Sequence, residues 1–225
     1  MPTKIAHLDS VDQQIAERHL LLHPFYQLWT KGELTREALA DYAKQYYRHV
    51  AAFPTYLSAL HARTVDVATR RQILANLIDE EGGEVTHPEL WLRFAEGLGV
   101  RREDVEAAEP WEETENLIAT FRRICGTGNT VEGLAALYAY ESQIPAVAES
   151  KIDGLKRFYG VDDERTLSYF EVHKEADREH SAVERALLAE SLNEANATAA
   201  GRSVDDVLNA LWELLSAVCR RHSLS

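Results

Sequence analysis

Apolar residues recur at three- and four-residue spacing through almost the whole chain, a period that predicts helices and leaves strands without support. Ser10 reads as an N-cap before Val11, Ile15 and Leu22, and Pro24 suits the first turn of a short aromatic helix with Phe25, Tyr26 and Trp29. Thr35 caps a helix running to about Arg63, with Leu39, Tyr42, Tyr46, His49, Phe53, Tyr56, Leu57 and Leu60 on one stripe. Ile73, Leu74, Leu77 and Ile78 make residues 66–81 a third long helix, closed by Gly82 and Gly83. A short helix follows Pro88, and another opens at Pro110-Trp111 and stops at a Gly126-Thr-Gly128 loop, which lacks the preceding strand of a phosphate-binding turn. Long helices over 130–159 and 162–192 and a last one over 203–221 complete an expected single all-α domain, 1–225, a bundle of seven or eight helices.

Polar side chains interrupt these apolar rows at a few places, and there the interest lies. On a helix, His173, Asp177 and His180 fall within an arc of roughly 60° and make one row, which Tyr169 joins one turn earlier. Val172, Ala176, Val183 and Leu187 would place the apolar stripe beside them. Two imidazoles and a carboxylate are costly to bury without a partner, and a divalent cation suits neutral His with ionised Asp. Glu80 occupies the inward place where a further Leu is expected after Ile73 and Leu77, whereas Glu81 does not. His87 starts a helix at Pro88; Glu84-x-x-His87 and Asp177-x-x-His180 resemble the paired signature of di-iron bundles, although Glu84 could equally serve as a helix cap. Glu141 is the only acid in its apolar row, and Pro145 cannot donate to its carbonyl, so the helix should kink there. Lys151 flanks that row, either as a surface lysine with a snorkelling stem or as a desolvated amine of lowered pKa. Tyr26 is core filler or a pocket residue, and His49 reads as a core histidine.

The formal net charge of −13 argues against nucleic acid and anionic membranes as partners. Cys125 and Cys219 are isolated, so neither a disulfide framework nor a CxxC ligand pair is expected, which fits a reducing cytoplasm. No apolar run approaches the roughly 20 residues that span a bilayer, and no signal peptide is evident at the N-terminus. A soluble, cytoplasmic protein is the expectation.

The inward polar set is therefore Glu80, His87, Glu141, His173, Asp177 and His180. Mixed N/O ligation without thiolates suits two iron or manganese ions with open positions and places O2 activation ahead of hydrolysis. A single ion on His173, Asp177 and His180, or a two-metal hydrolase, would use similar ligands. With their spacing, the six residues resemble the ligand set of the haem-oxygenase-like di-metal oxidases, and nearly the whole chain resembles the subgroup named for the Chlamydia protein associating with death domains. The resemblance implies synthesis of 4-aminobenzoate, a folate precursor, from the protein's own residues. Tyr26 would supply the ring and Lys151 the amino group, Tyr42, Tyr140 and Tyr169 would match further tyrosines of the pattern, and O2 with an electron donor would act on a reduced Fe/Fe or Mn/Fe pair. By the same analogy a homodimer is expected. An oxidase of an external substrate, for instance one that decarboxylates a fatty acid, and a non-enzymatic interaction module are the alternatives. The thiaminase-like branch needs a cysteine where Ala135–Glu141 has none, and the pyrroloquinoline-quinone-forming branch is metal-free.

Overall fold

The computed structural model describes residues 2–224, with side-chain surroundings from residue 6 onward. It is all-helical among the described residues: α1 (Pro2–Glu17), α2 (Pro24–Trp29), α3 (Arg36–Arg63), α4 (Val67–Glu81), α5 (His87–Gly97), α6 (Arg102–Glu106), α7 (Glu112–Thr127), α8 (Thr130–Glu141), α9 (Ile144–Gly154), α10 (Glu164–Ser191) and α11 (Ala197–Arg221). Side-chain oxygens start several of these helices. Thr35 accepts from the Ala38 amide, Asp66 from Thr69 and Asp163 from Thr166, while Asn129 and Glu132 form a reciprocal capping box.

Among the described residues there are eleven α-helical segments where a bundle of seven or eight is expected; the short α2 and α5 stand as separate segments, α6 is too short to show a period, and the helix expected over 130–159 is interrupted. α8 ends at Glu141, Ser142 and Gln143 form a turn, and α9 restarts with Pro145 in its first turn. The missing N–H of Pro145 explains the break, and Gln143 holds it from within by accepting the Leu20 amide at 2.7 Å. α9 then runs into a π-helical turn, Leu155–Tyr159.

Other expectations need correction. Ser10 lies inside α1, Gly126 and Thr127 are the last residues of α7 rather than loop, and α11 begins at Ala197. Leu74 and Ile78 are 40% and 54% exposed, since α4 turns mainly Ile73, Asn76 and Glu80 inward.

The core packs α10 against α5, α8 and α9, α3 against α4, α5 and α7, and α11 against α7 and α8. Its largest buried side chains are mostly aromatic: Trp29, Trp91, Tyr26, Tyr42, Tyr56, Phe25, Phe94, Phe121 and Phe170. Gly154 allows α9 to close on α2, because a Cβ there would lie 2.4 Å from the Trp29 indole nitrogen. That indole donates to the Lys151 carbonyl at 3.4 Å, which fixes the turn of α9 that carries Lys151. No helix among the described residues is long and apolar enough to cross a membrane.

Candidate metal centre

The buried row of α10 is Tyr169, His173, Asp177, Glu184 and Leu188, with His180 at its edge. Val172 is 40% exposed, and Ala176, Val183 and Leu187 are only partly buried, so the stripe expected beside the row is in fact polar at its centre. α4 brings Glu80 to this row, the first turn of α5 brings His87, and the end of α8 brings Glu141. Glu84 does not join them: it is exposed, and Thr86 is the residue that caps α5. The E-x-x-H spacing at 84–87 therefore has neither proposed role, because the Gly82-Gly83 segment leaves Glu84 on the surface.

The six expected ligands converge as two groups of three. Donor atoms of Glu80, His87 and His173 lie within 4.8 Å of one another, and so do those of Glu141, Asp177 and His180. Each group offers a net of one or two carboxylates with one or two imidazoles, the donor set that suits iron and manganese. The alignment within the groups also points at cations rather than at hydrogen bonds. His87 Nδ1 lies 2.9 Å from Glu80 Oε2 yet is not aligned to donate to it, and Glu141 Oε2, Asp177 Oδ2 and His180 Nδ1 are buried without a hydrogen-bond partner. Four such orphaned atoms in one small region would be a heavy cost unless a common positive partner engages them.

Neighbours orient the imidazoles as metal ligands require. His173 Nδ1 is 2.7 Å from the Tyr169 carbonyl, so that nitrogen carries the proton and Nε2 is left as a donor to metal. His180 Nε2 is 3.0 Å from Asp79 Oδ2, which turns Nδ1 toward Glu141 and Asp177 at 3.6 and 3.5 Å. Asn76 Nδ2 donates to Glu141 Oε1 at 2.9 Å. Burial pushes Asp177 well above the carboxylate range, helped by the Glu141 and Glu80 charges, and raises Glu80 as well. Burial drives His173 well below the usual imidazole value, so it is neutral and ready to coordinate. Burial opposes the charge on His180, but Asp177, Glu141 and Asp79 outweigh it and raise that group to about 11.

Behind the ligands lies a buried aromatic cluster. Tyr169 stacks on His173 with centroids 3.9 Å apart. Tyr140 precedes Glu141, and its hydroxyl meets that of Tyr46 at 2.8 Å. Tyr42 packs on Tyr46, and the Tyr26 ring packs on Phe25, which itself packs on Tyr42. Lys151 is 3% exposed, donates to the Tyr42 hydroxyl at 2.5 Å and lies 4.8, 5.3 and 5.6 Å from the ring centres of Tyr42, Tyr46 and Tyr26. The surface position considered for it from sequence is ruled out. Burial lowers its amine to about 7. The five tyrosines are buried, and burial raises every one of these phenols, so they are protonated at ordinary pH.

Sequence reasoning passed over Tyr46, Asp79, Asn76 and Glu184. For Glu184 a signal existed, since it lies seven residues after Asp177 and four after His180, on the same helical face.

Residues 40–214 match the family model described as iron-containing redox enzyme. The chain belongs to this family. Among its relatives, a 4-aminobenzoate synthase of Chlamydia pneumoniae is 46% identical over 209 residues, 93% of each chain. One of Nitrosomonas europaea is 46% identical over 221 residues, covering 92% of this chain and 89% of its own. A crystal structure of a domain with a heme oxygenase-like fold from Shewanella denitrificans superposes with a TM-score of 0.83 at 19% identity, covering 96% of this chain and 93% of that one. That likeness shows the fold. Family membership makes the chain an oxidoreductase and agrees with the two three-residue groups as a metal centre.

Cation binding should be visible as stability. A divalent ion at about a hundred times its Kd adds about 2.7 kcal/mol per site, and each kcal/mol moves Tm by about 2–4 °C in a chain of this size. Calorimetry of chelator-treated protein with and without Mn(II) should therefore show a rise of about 5–10 °C for the first site alone, and no rise would contradict the centre.

Proposed function

We propose that this member of the family is a 4-aminobenzoate synthase that consumes its own Tyr26 ring and Lys151 amine, with O2 as oxidant and an external electron donor. The observation that carries the reading is the neutral-prone amine of Lys151, enclosed by tyrosine rings that continue to the metal ligands through the Tyr46–Tyr140 hydrogen bond. A second feature agrees with it. The cavity beside Glu80, Glu141, His173 and Asp177 measures about 10 Å³, room for about one water-sized molecule and not for an aromatic substrate.

The product's atoms match the parts at hand. Tyrosine and 4-aminobenzoate are both para-substituted, so the Lys151 nitrogen must take the place of the Tyr26 hydroxyl, which leaves as water, with its own Nζ–Cε bond broken, and Cβ must be oxidised by O2 to the carboxyl carbon with cleavage of Cα–Cβ. Bound iron or manganese would be held by Glu80, His87, His173, Glu141, Asp177 and His180 and would supply one-electron oxidation driven by O2. The protein does the rest. The buried phenols are protonated, so removing an electron from any of them requires a hydrogen-bonded acceptor for its proton, and Tyr46 with Tyr140 supplies such a contact. Tyr42 touches the Lys151 amine and can hold or return its proton, while the surrounding rings exclude water that would compete with the amine. At pH above about 7 the amine is neutral and carries the lone pair that attack on the ring requires.

One geometric fact favours a second reading, in which the Tyr42 ring is consumed. Its hydroxyl contacts Lys151 directly, and its ring centre is nearer than that of Tyr26. Residue-resolved mass spectrometry after aerobic incubation with Fe(II) and reductant separates the two, with loss of the ring expected at Tyr26. Total product should stay at or below one molecule per chain. Repeated turnover on an added small molecule would mark an external-substrate oxidase instead.

A further inference from the structure

A pocket of about 140 Å³ between α4, α8 and α10 opens to solvent beside the exposed Asp79 and Glu179 and closes on His180 and Glu184. Leu134, Leu137 and Ile73 wall it. Glu184 is 5% exposed and its Oε2 has no hydrogen-bond partner. Its carboxyl is a close electrostatic neighbour of that of Glu141. Two neighbouring buried carboxyls, one with an unpartnered oxygen, are unfavourable as a charged pair, and a cation shared between them removes that cost. Charge counting gives the same partner. Two divalent cations bring four positive charges, of which Glu80, Glu141 and Asp177 offset three, and Glu184 is the buried acid that offsets the fourth.

We propose that Glu184 is a seventh donor of the metal centre: a divalent cation arriving through this pocket meets Glu184 before Glu141 and Asp177 and remains on it together with Glu141, Asp177 and His180. The inference rests on the two-ion reading of the site and deepens it. It makes the two halves unlike, one filled by way of the α4–α8–α10 pocket and the other, at Glu80, His87 and His173, independent of Glu184.

The test is titration of chelator-treated full-length protein with Co(II), followed by calorimetry and by ligand-field absorption in stopped flow. Wild type should bind two ions. Glu184→Gln, which keeps the side-chain shape and removes the charge, should weaken one ion about tenfold to a hundredfold and slow its uptake, leaving the other unchanged. The unaffected ion reports that the variant is folded. Glu184→Asp should recover part of the affinity, and Leu187→Trp, which narrows the pocket, should slow uptake of that same ion. Two ions bound by Glu184→Gln with wild-type affinity and rate would overturn the role of Glu184 alone. Failure of wild type to bind two ions would instead overturn the metal centre on which the inference stands.

Discussion

Changing Tyr26 to phenylalanine ends 4-aminobenzoate formation while two ions per chain still bind. The substitution removes one buried hydroxyl from a side chain that is 1% exposed and leaves the ring in place, so it costs about 1 kcal/mol of stability and leaves the ligands undisturbed. The loss of product should be complete, because the hydroxyl-bearing carbon is where the amine must arrive. Tyr42→Phe is the informative companion. In the leading reading it keeps the consumed ring and removes the proton contact to Lys151, so product still forms but about a hundredfold more slowly. Chromatography with mass detection over a time course distinguishes a slow rate from a zero yield. Full yield from Tyr26→Phe with none from Tyr42→Phe would move the ring assignment to Tyr42.

Lys151→Met should end product formation and make the protein more stable. Lowering the amine from its ordinary 10.5 to about 7 corresponds to roughly 5 kcal/mol against burying the charged form. Methionine of similar length fills the space without that penalty and gives up the bond to Tyr42, worth about 1 kcal/mol. A net gain of about 2–4 kcal/mol at pH 7 follows, or roughly 4–16 °C in Tm. The pH dependence has a definite sign. Between about 7 and 10.5 the unfolded lysine holds a proton that the folded one has released, so wild-type stability climbs toward that of Lys151→Met as pH rises, by up to about 1.4 kcal/mol per pH unit. Denaturant titrations of both proteins at pH 6 to 10 measure the difference; parallel curves would mean the amine is not desolvated. A protein that retains so costly a group inside its core is trading stability for chemistry.

Much of the site could be read from spacing because it is written on helices. The row at 173, 177 and 180, the inward Glu80 beside the outward Glu81, and the acid at 141 before Pro145 are all consequences of a 3.6-residue period, and each lies where that period places it. Depth is what period alone does not give. Val172, Leu74 and Ile78 have the right phase and are nonetheless 40%, 40% and 54% exposed. Glu184 escaped notice for the opposite reason: glutamate is ordinary on a solvated helix face, and only the packing of α8 against α10 reveals it as buried. Glu84 had the spacing of a ligand, but a two-glycine segment separates it from the helix that would have aimed it inward. The burial of Lys151 depends on rings from α2, α3, α5 and α10, and such convergence of distant segments has no signature in local sequence. The roles proposed for Tyr26 and Lys151 rest on resemblance to a family; what the structure adds is that both are buried with the Lys151 amine 5.6 Å from the Tyr26 ring centre.

The central claim is that the organic substrate is part of the polypeptide. Protein produced with ring-¹³C tyrosine and ¹⁵N-lysine, purified, loaded with Fe(II) and exposed to O2 and reductant in unlabelled medium, tests it most directly. The account predicts 4-aminobenzoate labelled in both its ring and its nitrogen, whatever unlabelled amines or phenols are added. Unlabelled product formed from an added compound would contradict it.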